Sequence, residues 1–156
     1  MIISFFGHAD FFESDGNENI FLNILNDLDI DDNSQFWFGG YGNYDRFAFN
    51  CCKKFLAAKK QCKTVYITPY IDGLFLNNGK NITLLYDEIV YPPLENVPKR
   101  FAIVKRNEWI IDNSDIIIFF VNRTFGGAYT CLKYASRKKK KYYNLANLQT
   151  KNLPRI

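Results

Sequence analysis

The chain predicts an α/β fold: a mainly parallel sheet of about five strands, with helices on both faces, in three layers. Three observations carry this. Short runs such as Ile116–Val121 are apolar at every position and read as strands covered on both sides. They alternate with longer segments whose apolar residues recur at helical spacing. Two glycine-rich turns, Phe38-Gly39-Gly40-Tyr41-Gly42-Asn43-Tyr44-Asp45 and Thr124-Phe125-Gly126-Gly127-Ala128, fall where a strand gives way to a helix.

In chain order, Ile2–Phe6 is an apolar strand ended by Gly7-His8. From Asn17 to Asp29, Ile20, Phe21, Ile24, Leu25 and Leu28 form one helical face, and the turn Asp31-Asp32-Asn33-Ser34 follows. Gln35–Phe38 is a second strand, and Asn43 to Lys60 a helix with a buried stripe of Tyr44, Phe47, Cys51, Phe55 and Ala58. Lys53, Lys54, Lys59 and Lys60 sit late in that helix, where its dipole favours cations. Thr64–Thr68 is a third strand, stopped by Pro69. Tyr70–Asn96 is broken by Asp72-Gly73, Asn77-Asn78-Gly79 and Pro92-Pro93, with a short strand near Glu88–Tyr91. A connection of that length has the character of a lid or binding loop. Pro98 suits the first turn of a helix to Asn113. The strand Ile116–Val121, a helix from Gly127 to Lys138 and a last strand Lys141–Leu145 complete one domain, residues 1–145, before a polar tail, 146–156.

With 156 residues, 47% of them hydrophobic and 17% aromatic, the chain has enough apolar surface for a sizeable core. No apolar run approaches the ~20 residues of a membrane helix, and the N-terminus lacks the basic lead of a signal peptide. A cytoplasmic protein with no membrane contact is expected. Cys51, Cys52, Cys62 and Cys131 show no CxxC spacing, and His8 is the single histidine, so buried free thiols are expected rather than a metal site. No cofactor is called for. The net charge of +4 is concentrated in Arg137-Lys138-Lys139-Lys140-Lys141, which reads first as a solvated helix end. Acids and bases nearly balance elsewhere, so nucleic acid is not the expected partner.

The chemistry points to the strand ends. Glycine lets backbone N–H groups approach a ligand, and a helix N-terminus adds partial positive charge in the same direction. Two such loops in one small domain indicate a divided site for a phosphate-bearing small molecule. Gly40-x-Gly42-x-x-Asp45 departs from the dinucleotide fingerprint, because Asp45 replaces the third glycine and the loop follows the second strand. Gly-Lys-Ser/Thr is absent, which excludes a Walker-type loop. Asp45 is left two roles: a ribose hydroxyl or the helix N-terminus. Gly7-His8, Gly39–Gly42, Pro69-Tyr70 and Phe125–Gly127 all follow strands and should crowd one edge of the sheet.

Gly39-Gly40-Tyr41-Gly42 through Asp45, Val90-Tyr91-Pro92-Pro93-Leu94-Glu95-Asn96-Val97-Pro98-Lys99-Arg100-Phe101-Ala102-Ile103, Lys105-Arg106-Asn107-Glu108-Trp109, Gly126-Gly127-Ala128 and Phe5-Phe6-Gly7-His8 together resemble the SLOG superfamily, and most nearly its YpsA-like branch of small bacterial proteins. The resemblance implies a Rossmann-like fold that recognises nucleotides or nucleotide-derived ligands such as ADP-ribose derivatives, in a bacterial or phage setting. Its relatives include LOG cytokinin phosphoribohydrolases, nucleotide sensors of antiviral defence and the DprA/Smf proteins. On the LOG motifs, Arg106 matches the arginine of the Arg-Lys pair and Asn107 replaces its lysine. Gly126, Gly127 and Thr130 match the glycine-rich motif, with Phe125 and Tyr129 as departures. Lys133 stands at the catalytic glutamate, and an ammonium cannot do a carboxylate's acid–base work.

The leading expectation is therefore binding of a nucleotide-type ligand, for sensing or sequestration. Gly7, His8, Gly39, Gly40, Tyr41, Gly42, Asp45, Arg106, Asn107, Gly126, Gly127 and Thr130 are its candidate residues. Tyr41, Tyr70, Trp109, Phe125 and Tyr129 are the candidates to stack on a base. One alternative is a hydrolase of a nucleotide N-glycosidic bond in which Glu108 or Asp45 supplies the missing carboxylate. A second is DprA-like nucleic-acid binding through the basic block. The resemblance and the abundance of aromatics also predict a homodimer.

Overall fold

Strand and helix alternate along the chain: β1 (Ile2–Gly7), α1 (Asn17–Asp27), β2 (Gln35–Phe38), α2 (Asn43–Ala58), β3 (Lys63–Ile67), β4 (Glu88–Val90), α3 (Ala102–Asn113), β5 (Ile116–Phe120), α4 (Gly127–Arg137) and β6 (Lys141–Asn144). These elements are seen in a computed structural model that describes residues 1–58, 62–70 and 85–148. All six strands are parallel, in the order β4-β3-β2-β1-β5-β6. From the central β1 the chain steps outward to β4, then returns to β1's other side as β5 and β6. This doubly wound, Rossmann-like order leaves a crevice at the carboxyl ends of β1 and β5, where the winding reverses.

The period-two alternation of each strand divides the core between the two helical layers. Ile3 and Phe5 of β1, Phe36 and Phe38 of β2, and Ile118 and Phe120 of β5 pack with Ile20, Phe21, Ile24 and Leu25 of α1 and the buried stripe of α2. Ile117 and Phe119 face the other way, onto Ile111 of α3 and Cys131 and Ala135 of α4. Trp37, Val65 and Ile67 receive Ile110 and Trp109 on that same face. Phe5 stacks on Phe38 with ring centroids 4.9 Å apart, and on Phe21 at 5.5 Å. Ser4 is the polar exception in β1; its hydroxyl meets Ser114 Oγ at 2.7 Å, so no lone polar group is buried there. The two edge strands, β4 and β6, are short, which limits exposed pairing surface.

Most expected elements sit within a residue or two of their places. The sheet has six strands rather than about five, because Glu88–Val90 pairs with β3. The first helix stops at Asp27, where the Leu28 N–H bonds Leu25 O, instead of running to Asp29. The segment after Pro98 enters as a 3-10 turn, Lys99–Phe101, before α3 begins. Leu145 opens a second 3-10 turn, Leu145–Asn147, rather than extending β6. Ala58 is exposed; Ala48 and Cys52 complete the buried stripe of α2 in its stead. Lys59, Lys60, the Asp72-Gly73 and Asn77-Asn78-Gly79 turns, and positions 149–156 of the tail lie outside the described residues. All four cysteines are free and buried. Among the described residues no helix is long and apolar enough to cross a membrane.

Candidate functional site

A cleft of about 210 Å³ opens at the carboxyl ends of β1, β2 and β5. Its lining combines Gly7, His8, Gly39, Tyr41, Asp45, Arg106, Asn107 and Gly127 with Arg123, Ala128 and Cys131. Eight of the twelve residues expected from the sequence thus meet in one place. Gly40, Gly42, Gly126 and Thr130 do not line it.

The two glycine loops do different work. In the β2–α2 loop the glycines make room for the protein itself. Gly40 has φ 75° and a Cβ there would lie 2.1 Å from Tyr66 Cε2; Gly42 has φ 93° and its Cβ would lie 2.8 Å from Ala9 Cα. The loop's own amides turn inward: the N–H groups of Gly40 and Gly39 favour the charged form of the Asp45 carboxyl. The β5–α4 loop is open. Gly126 has φ 92°, and nothing lies within 4 Å of the Cβ position of either Gly126 or Gly127. No side chain caps α4, so the N–H groups of its first turn face solvent or ligand.

Asp45 is where the electrostatics are most unusual. Burial pushes its carboxyl up to about 7, against the opposing pull of the Gly40 and Gly39 N–H groups and the Arg106 charge. Arg106 is 5% exposed. Its Nε donates to Asn107 Oδ1 at 2.8 Å, and its Nη1 donates to Ile67 O at 2.7 Å and Gly39 O at 3.1 Å. The side chain thereby ties α3 to the ends of β2 and β3, and only Nη2 is without a partner among the described residues. Burial lowers its pKa, with Tyr66 and Asp45 opposing.

His8 is buried, and its Nε2 accepts the Asn122 N–H at 3.1 Å, joining the end of β1 to the loop after β5. Burial, then the Arg123 charge, lowers its pKa, so the neutral ring with an unprotonated Nε2 is the form the fold uses. Gly7 serves packing: a Cβ would lie 2.2 Å from Tyr44 Cγ, and the wholly buried Tyr44 donates its hydroxyl to Ile118 O at 2.9 Å. Burial pushes the Cys131 thiol up to about 12, which keeps it protonated.

The aromatic candidates separate cleanly. Tyr41 is 81% exposed and lines the cleft. Trp109 stacks on Trp37 at 5.2 Å with the rings 7° from parallel, and so belongs to the sheet packing. Tyr70 lies under Lys99 and Tyr129 under Lys133, both away from the cleft lining. Lys133 is exposed, and Glu108 pairs with Lys105 at 3.0 Å; neither lines the cleft. Thr130 donates its hydroxyl to Gly126 O at 3.1 Å, within the first turn of α4.

Arg123 is the residue that motif reading missed. It belongs to no glycine motif, but it lies in the loop between β5 and α4, and the rule that placed the other loops at the strand ends applies equally to it. Its Nη1 bonds Asp10 Oδ2 at 3.0 Å and its guanidinium lies 4.9 Å from the Phe125 ring centre. In the basic block, Lys140 Nζ donates to Asp112 O at 2.8 Å and Ser114 O at 3.2 Å. That lysine therefore caps the C-terminus of α3, a different helix from its own, and the block sits at the far end of α4 from the cleft.

Fold and cleft together define a Rossmann-like α/β protein whose switch-point crevice gathers two arginines, a carboxyl and an uncapped helix start. Comparison with known family models and with curated proteins returns no match.

Proposed function

We propose that the cleft binds a nucleotide or nucleotide-derived small molecule, in a sensing or sequestering role. The observation that carries this reading is the convergence of Arg106, Arg123 and the open N-terminus of α4 on one switch-point cleft. The SLOG-like motif spacing supports it. At about 210 Å³ the cleft is smaller than the roughly 300–1,000 Å³ typical of pockets that enclose a whole drug-sized ligand. It suits a phosphorylated sugar, with the base outside against Tyr41. Two charged hydrogen bonds and a helix start supply about 3–7 kcal/mol, whereas micromolar affinity needs about 8. Contact with the base makes up the difference. A thermal-shift panel of nucleoside monophosphates, cyclic nucleotides and ADP-ribose tests the reading. A ligand at about 100 times its Kd adds roughly 2.7 kcal/mol to native stability. A panel without a single stabilising compound rejects it.

A second reading, hydrolysis of a nucleotide N-glycosidic bond, is favoured by Asp45 alone. A carboxyl in the cleft with a pKa pushed to about 7 is protonated often enough at neutral pH to act as a general acid. Glu108 is unsuited to that role, being outside the cleft. Release of free base from AMP by the unmodified protein, abolished in Asp45→Asn, would establish hydrolysis; no release would leave binding as the function.

A further inference from the structure

Among the described residues, a single buried side-chain polar atom has no hydrogen-bond partner, and it is Arg123 Nε. An unmet buried donor destabilises a fold, and one that persists beside a cleft calls for an acceptor from outside the chain. The guanidinium is only partly used. Asp10, itself 70% exposed, takes Nη1, and the side-on edge formed by Nε and Nη2 has no acceptor among the described residues. That edge presents two parallel N–H groups, the fork that matches two oxygens of a phosphate. Arg123 lines the cleft beside Gly127 and Ala128, the first residues of the uncapped α4. Across the cleft the N–H groups of Gly40 and Gly39 face the Asp45 carboxyl, which leaves them less open to a second acceptor.

We propose that the ligand's phosphate lies at the β5–α4 side of the cleft, held by the Nε–Nη2 edge of Arg123 together with the first amides of α4, and that the β2–α2 loop takes the sugar through Asp45. This rests on the nucleotide-binding reading above and adds to it a direction: phosphate toward α4, sugar hydroxyls toward α2. Nε itself is buried, but the side chain as a whole is 33% exposed, and binding turns this edge toward the anion. Arg106, by contrast, spends its Nε and Nη1 on Asn107 and two main-chain carbonyls, and acts chiefly as a brace.

Calorimetric titration of AMP and of adenosine into the wild-type protein and Arg123→Gln tests the assignment. The substitution should weaken AMP at least tenfold and leave adenosine within about twofold, because only AMP carries the group that Arg123 holds. A purely structural role for Arg123 would weaken both ligands together, and an unchanged AMP affinity would place the phosphate elsewhere; either result overturns the proposal. If Arg123→Gln folds poorly, Arg123→Lys carries the same test. It keeps the charge but lacks the two-pronged edge, and should lower the AMP-to-adenosine affinity ratio at least threefold. A wild-type protein that binds adenosine and AMP equally defeats this proposal alone, whereas the parent reading falls only if the whole thermal-shift panel stabilises nothing.

Discussion

Replacing Asp45 with Asn isolates a carboxyl that the fold holds far from its ordinary titration range. The folded pKa of about 7 lies some three units above the 3.8 of an ordinary aspartate. At 1.36 kcal/mol per unit, that difference is worth roughly 4 kcal/mol. A folded pKa above the unfolded one means the native state binds the extra proton between pH 3.8 and about 7. The group's contribution is therefore fully present below pH 3.8 and is lost as the pH rises through about 7. Asparagine cannot titrate. Its amide also leaves one of the Gly39 and Gly40 N–H groups poorly met, a pH-independent penalty of about 1–3 kcal/mol. The variant should thus be less stable than wild type at pH 4 and more stable at pH 8, with the two curves crossing between. Urea unfolding of both proteins across that range measures the difference directly, and titrations shared by both, such as that of His8, cancel. A difference that does not change with pH refutes the reasoning. A change of opposite sign would show that Arg106 and the loop N–H groups outweigh burial and hold Asp45 as an anion throughout.

Gly7→Ala should lower stability by at least about 3 kcal/mol, since its methyl would lie 2.2 Å from the Tyr44 ring in a closed core; the urea midpoint reports it. His8 has a lowered folded pKa, so its contribution is present above the ordinary 6.5 and lost as the pH falls from there through the folded value. His8→Gln keeps an acceptor for the Asn122 N–H, and thermal melts from pH 5 to 8 should show a shallower acid loss than wild type. Lys138, Lys139 and Lys140 replaced together by Gln should leave AMP affinity within about twofold, because α4 spans about 15 Å and exposed charges at that range are screened. The same variant should melt lower, since Lys140 bonds the last carbonyls of α3.

The fold was legible because its main driving force is local and repetitive. A strand covered on both faces must be apolar at every position, as Ile116–Phe120 is. A helix on a sheet must repeat its apolar face, as Ile20, Phe21, Ile24 and Leu25 do. The β4 strand was harder to read because it sits at an edge, half-buried and three residues long, so its pattern is weak. The end of α1 and the start of α3 shifted for a similar reason: terminal turns are decided by a few hydrogen bonds rather than by a long apolar repeat.

The sequence by itself determined the order of elements, the parallel sheet and the crowding of His8 and the glycine loops at one edge, since chain direction and strand ends follow from pattern alone. It could not distinguish the two glycine loops, which look equivalent as strings. Only the tertiary structure decided that Gly40 and Gly42 yield space to Tyr66 and Ala9, that Asp45 fills the first loop, and that Gly126 and Gly127 face open space. It likewise decided that Arg106 spends its Nε and Nη1 on Asn107 and two main-chain carbonyls, while Arg123 Nε has no partner among the described residues. The physical reason is that a glycine or an arginine declares what it is able to do, whereas the partners it meets come from segments 26 to 113 residues away, brought together only when the sheet closes around β1.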